Sequence, residues 1–144
     1  MMAVLTDIVI ASANDAPAII AEWPGSKMWP GLQTTGLDGL VLADLAEALG
    51  QVNLARSIEN LDPSAFADEA NGPWVYVLPN ELRDHLASID VSDLGKVAQV
   101  WADKEEASAR GLTAQDAQRL LLEIQPLAAV ARDGQKPMLL WISM

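Results

Sequence analysis

Apolar residues recur along this chain with two different periods, and the switches between them mark its elements. Residues 6–11 (TDIVIA) are apolar and β-branched, and the turn-like run 12–17 follows, which predicts a first strand. A short helix over 15–22 comes next, with Asp15 available to cap it and Pro17 tolerated in its first turn. Two Trp-Pro-Gly units, one at Trp23 and one at Trp29, predict turns rather than regular structure, because proline and glycine punctuate both. Over 38–49 the spacing of Leu42, Leu45 and Leu49 predicts a helix, with Gly50 at a left-handed C-terminal position. A weaker helical pattern covers 52–60, Asp62-Pro63 interrupts it, and 68–73 (DEANGP) reads as an acidic, turn-rich connection.

The second half is mostly helical. Residues 74–78 (WVYVL) predict a strand closed by Pro79. Asn80 is placed to cap a helix over 80–88 that presents Leu82, Leu86 and Ile89, and one continuous helix over 92–109 presents Leu94, Val97, Ala98 and Trp101. Thr113 followed by Asp116 resembles a capping box, opening a helix with Ala117, Leu120, Leu121, Ile124, Leu127, Ala128 and Ala131 on one stripe. Pro126 predicts a bend or split in that helix near Glu123, and Gly134 ends it. The run 137–144 is an almost wholly apolar strand, which predicts a central place in the sheet with both faces covered. The elements add up to a helix-rich α+β single domain over 1–144: five or six helices on a small three-stranded, mostly antiparallel sheet.

Composition narrows the chemistry. The chain has 144 residues, 51% of them hydrophobic, with no cysteine and one histidine, His85. Disulfides, thiolate metal sites and a cysteine nucleophile are excluded, and a reducing, cytoplasmic setting is expected. The first ten residues lack a basic n-region and a small-residue cleavage site, and no apolar run approaches the roughly 18 residues of a membrane span, so a soluble protein is expected. The formal charge is −11, split between −8 over 1–72 and −3 over 73–144. Such a field repels phosphate backbones and anionic lipid, so neither nucleic acid nor membrane is expected as a partner, whereas a basic protein would be steered toward the first half.

No catalytic constellation emerges. There is no Gly-x-Ser-x-Gly element, no phosphate-binding glycine loop and no Glu-x-x-His pair, and Asp103, Glu105, Glu106, Asp116 and Glu123 are scattered over helices. No catalytic residue, metal or cofactor is therefore assigned. His85 lies at the margin of an apolar helix face, where it reads as a packing residue or as a base. Glu105, four residues after Trp101, falls on the same face of the expected continuous helix, where it is either solvated or held beside an indole with a raised pKa. Trp74, Trp101 and Trp141 read as core, while Trp23 and Trp29 read as clamps pinning their loop or as exposed anchors for a partner.

The segments Leu5-Thr-Asp-Ile8, Trp23-Pro-Gly25, Leu37-Asp38, Pro73-Trp-Val75, Trp101-Ala-Asp-Lys-Glu-Glu106 and Gly134-Gln-Lys-Pro-Met-Leu-Leu-Trp141 resemble a family of small bacterial proteins of unknown function. The last helix, glycine, basic turn and apolar strand are also similar to the YfbM-like domain of unknown function, although the 40–50 helix lacks the tryptophan and histidine of those proteins. The resemblance implies an α+β fold and a bacterial cytosolic setting, and supplies no activity.

Two readings follow. The first is a non-enzymatic acidic protein-binding domain, an immunity-like or regulatory inhibitor of a basic protein, using Trp23, Trp29, Asp38, Asp44, Glu47, Asp68 and Glu69. The alternative is a small-molecule-binding domain or small enzyme with a pocket near Trp101, Glu105 and His85. A homo-oligomer is a further possibility.

Overall fold

A computed structural model describes residues 4–24 and 28–144, and all that follows concerns these residues. Five strands form one antiparallel sheet in the order β2-β1-β5-β4-β3: β1 (Leu5–Ile10), β2 (Gly31–Leu32), β3 (Ala65–Phe66), β4 (Trp74–Val77) and β5 (Met138–Ser143). The last strand is central, as its apolar run predicts, pairing with β1 from Leu5↔Ser143 to Ile10↔Met138 and with β4 on its other side. The expected three-stranded sheet is thereby corrected to five strands. The two unforeseen ones are edge strands of two residues each, too short to carry an alternation of their own. Gly31 of the second Trp-Pro-Gly unit starts β2 rather than completing a turn, while Gly25 of the first lies outside the described residues.

Seven helices are described, where five or six are expected: α1 (Ala16–Glu22), α2 (Gly39–Ala48), α3 (Val52–Glu59), α4 (Asn80–Ala87), α5 (Leu94–Ala102), α6 (Glu105–Ala109) and α7 (Ala114–Asp133). The additional helix comes from a break in the expected 92–109 segment, where Asp103 and Lys104 leave the helix and the backbone at Lys104 is extended. The break is stabilised from a distance. Asp44 on α2 accepts hydrogen bonds from the amides of Glu106 and Ala107 (2.9 and 3.0 Å), so a carboxylate from another helix supplies the N-terminal cap that Lys104 lacks. Other caps are local. Asp38 accepts from the amides of Leu40 and Val41, and Thr113 accepts from that of Asp116. Asn80 is the first residue of α4 and makes no cap, and α7 runs unbroken through Pro126, so the expected split near Glu123 does not occur.

Alternation along the strands divides the core in two. Ile8, Ile10, Tyr76, Leu78, Met138, Leu140 and Ile142 face the layer built by α2 to α7, with α2 packed on α3 and both α4 and α5 packed on α7. Val9, Val75, Leu139 and Trp141 face α1, where Ala16, Ile19 and Trp29 complete a smaller cluster. Both faces of β5 are therefore covered.

Candidate functional site

On the larger face, the start of α2, the end of α3 and the sheet leave a cleft of about 230 Å³. Its floor is Tyr76, Leu78, Leu140 and Ile142, its walls include Leu40, Ile58 and Leu61, and Asp38 and Glu59 stand among its lining residues. Local sequence explains the shape. Gly39 opens α2 without a side chain, the Asp38 cap fixes where the helix begins, and α3 ends at Glu59, so that Leu61 lies in the irregular segment before Asp62-Pro63. Burial, and secondarily the nearby carboxylate of Asp62, push the Tyr76 hydroxyl above the ordinary phenol range.

Carboxylates surround this cleft in different states. Glu59 and Asp62 are exposed, whereas Asp38 is engaged by the guanidinium of Arg110 in addition to its capping bonds. Trp74, paired with the floor residue Ile142, donates its indole N–H to the carbonyl of Glu69 at 2.9 Å, tying the 68–73 turn to the sheet beside the cleft. Within that turn, the amides of Ala70 and Asn71 donate to Asp68 and hold its carboxyl below the usual carboxylate range, so Asp68 stays charged on the surface.

The expected surface residues thus separate. Asp38 lines the cleft, Asp68 and Glu69 are exposed in the turn before β4 and do not line it, and Glu47 is half-buried in the last turn of α2. Asp44 is 7% exposed and committed to capping α6, and Trp29 is 8% exposed inside the smaller core, so neither presents a side chain to a partner. Trp23 is half-buried and donates its indole N–H to Asp7 at 2.8 Å, which makes it a clamp. Tyr76 and Asp62 were not foreseen as site residues. The available signal for Tyr76 was that the chain has a single tyrosine, placed in a strand on an inward-facing register.

The residues of the alternative pocket are not assembled. Trp101 is fully buried, with its indole donating to the Val41 carbonyl at 2.9 Å, and the α5–α6 break separates it from Glu105, which is exposed at the start of α6. His85 is half-buried on α4. None of the three lines the cleft above or either of two others. The first of those others, about 440 Å³, is bordered by residues 33–37, Arg110, Arg119, Asp116 and Glu123, and its arginines are paired with Asp38 and Asp116. The second, about 330 Å³, is lined by Leu5, Asp7, Pro24, Gln33, Thr34 and Thr35. Among the described residues no group of three or more histidine, aspartate or glutamate side chains could hold a metal ion, and no helix is long and apolar enough to cross a membrane. No family model, no curated protein and no solved structure matches the chain.

Proposed function

We propose that this chain is a non-enzymatic, acidic protein-binding domain of the cytoplasm that neutralises or regulates a basic protein, in the manner of an immunity protein. The observation that carries the reading is the apolar cleft with Tyr76 on its floor and Glu59 and Asp62 free beside it. Its volume, about 230 Å³, falls below the roughly 300–1,000 Å³ of small-molecule sites and suits one or two apolar side chains of a partner. An apolar anchor flanked by lysine or arginine satisfies both features, with the −11 charge steering the approach. Docking through side chains also agrees with the sheet edges, where β2 and β3 offer an incoming strand only two residues each.

The test is capture from lysate of the protein's own organism, with wild type and an E59K/D62K double variant as baits at low and high salt. A basic protein held by wild type at low salt, released as salt rises and not held by the variant is the expected result. Retention of the same protein by both baits, or an empty wild-type column, overturns the proposal.

A further inference from the structure

Asp7 and Asp44 are the two buried carboxylates among the described residues, and their circumstances differ. Asp44 meets the N-terminus of α6, whose two amides and helix dipole compensate its charge. Asp7 sits in the middle of the sheet, 3% exposed, on the same face of β1 as Val9 and directly across from Trp141. Its Oδ2 accepts from the Trp23 indole at 2.8 Å and its Oδ1 from the Thr34 amide at 3.1 Å, and no lysine, arginine or histidine among the described residues pairs with it. Two neutral donors occupy about half of the roughly four acceptor positions of a carboxylate. A charge so deeply buried is costly unless a cation meets it.

The surroundings are built to admit one. Asp7 lines the cleft of about 330 Å³ together with one of its hydrogen-bond partners, Thr34, and with Pro24, the residue after its other partner, Trp23. Leu5 and Pro24 offer apolar surface for an alkyl stem, and Gln33 and Thr35 are exposed polar residues at the same opening. The volume lies within the small-ligand range of roughly 300–1,000 Å³. The carboxylate is held in place from both sides. Thr34 hydrogen-bonds the Thr6 carbonyl through its hydroxyl, and Thr6 Oγ1 accepts from the Leu37 amide at 2.7 Å.

We propose that this cleft is a binding site for an alkyl cation, a primary alkylammonium or alkylguanidinium group, with Asp7 as its counter-ion and Leu5 and Pro24 as the apolar surface for its stem. The same head group is found on lysine and arginine side chains and on free amines. The site lies on the opposite face of the sheet from Tyr76 and does not rest on the protein-binding reading.

The experiment is an NMR titration of ¹⁵N-labelled protein with n-butylammonium and n-butylguanidinium, following the Trp23 indole N–H signal assigned through W23F. Saturable movement of that signal is expected, with n-butanol at equal concentration producing none. D7N is expected to weaken binding about 10–100-fold, the worth of a charge-assisted hydrogen bond. T35W, which fills the opening from an exposed position and leaves Asp7 intact, is expected to abolish the response and serves if D7N fails to fold. Nα-acetyl-lysine methylamide separates the two sources: binding comparable to butylammonium identifies a protein side chain as the natural occupant, and its rejection identifies a free amine. An unmoved Trp23 signal in wild type, an equal response to butanol, or undiminished binding in T35W overturns the proposal.

Discussion

Replacing Asp44 tests the account of how α5 and α6 come to be separate helices. Its Oδ2 accepts two amides, and Ala107, which supplies one of them, is fully buried, so water cannot replace the carboxylate there. In D44A the Ala107 N–H is left without an acceptor, which costs about 1–3 kcal/mol, and the charge-assisted bond to Glu106 is exchanged for one to water. Relief of the carboxylate's own desolvation offsets part of this. The net expectation is a loss of about 1–3 kcal/mol for D44A and about 1 kcal/mol or less for D44N, which keeps one acceptor oxygen and loses the charge. Urea unfolding followed by far-UV circular dichroism measures it. With a slope of about 2 kcal/mol/M, D44A shifts the midpoint by about 0.5–1.5 M. Hydrogen exchange supplies the local readout: the amides of Glu106 and Ala107 lose protection before the rest of the chain. If D44A stays within about 0.5 kcal/mol of wild type, or D44N proves as damaging as D44A, the distant cap is not what holds α6.

Other expectations follow from single contacts. Tyr76 is the only tyrosine, so absorbance at 295 nm during alkaline titration reports it alone; its midpoint is expected above about 10, and D62N lowers it part of the way, burial being the larger cause. Because the folded value exceeds the unfolded one, that contribution to stability is complete below about pH 10 and is lost as pH rises through the folded midpoint; denaturant midpoints measured on both sides of pH 10 check the sign. A Cβ at Gly31 would come within 2.5 Å of the Trp23 ring and 2.9 Å of the Ile8 carbonyl, so G31A is expected to destabilise by about 1–3 kcal/mol and to displace the Trp23 indole signal. Gln135 has φ of 55°, where glycine is favoured, and Q135G is expected to raise stability by about 0.5–1 kcal/mol in thermal or urea unfolding.

What could be read from the sequence was whatever declared itself locally. The β1, β4 and β5 runs carry enough apolar and β-branched residues to be found, and the almost wholly apolar β5 is legible as central because such a strand needs cover on both faces. The edge strands exist through pairing with β1 and β4 and carry no period of their own. The α5–α6 break was hidden because its cap lies about sixty residues earlier in the chain, and once it is present the apparent alignment of Trp101 with Glu105 disappears. Asp38 was legible as a helix start, but its pairing with Arg110 was not. Asp7 interrupts an apolar strand, yet nothing in TDIVIA distinguishes a carboxylate at a strand edge from one locked beneath Trp23. The cleft around Tyr76 joins four separate segments, and no local pattern encodes such an arrangement.

The central pairing of β5 makes the two halves of the sheet depend on one strand. Neither β1 nor β4 has a long hydrogen-bonding partner other than residues 138–143, because β5 alone joins them. Without them the larger core loses Met138, Leu140 and Ile142, the residues that join the apolar faces of β1 and β4 beneath the helices. A chain lacking Met138–Ser143 retains only the two-residue pairings of β1 with β2 and of β3 with β4, two separate fragments of sheet with nothing between them.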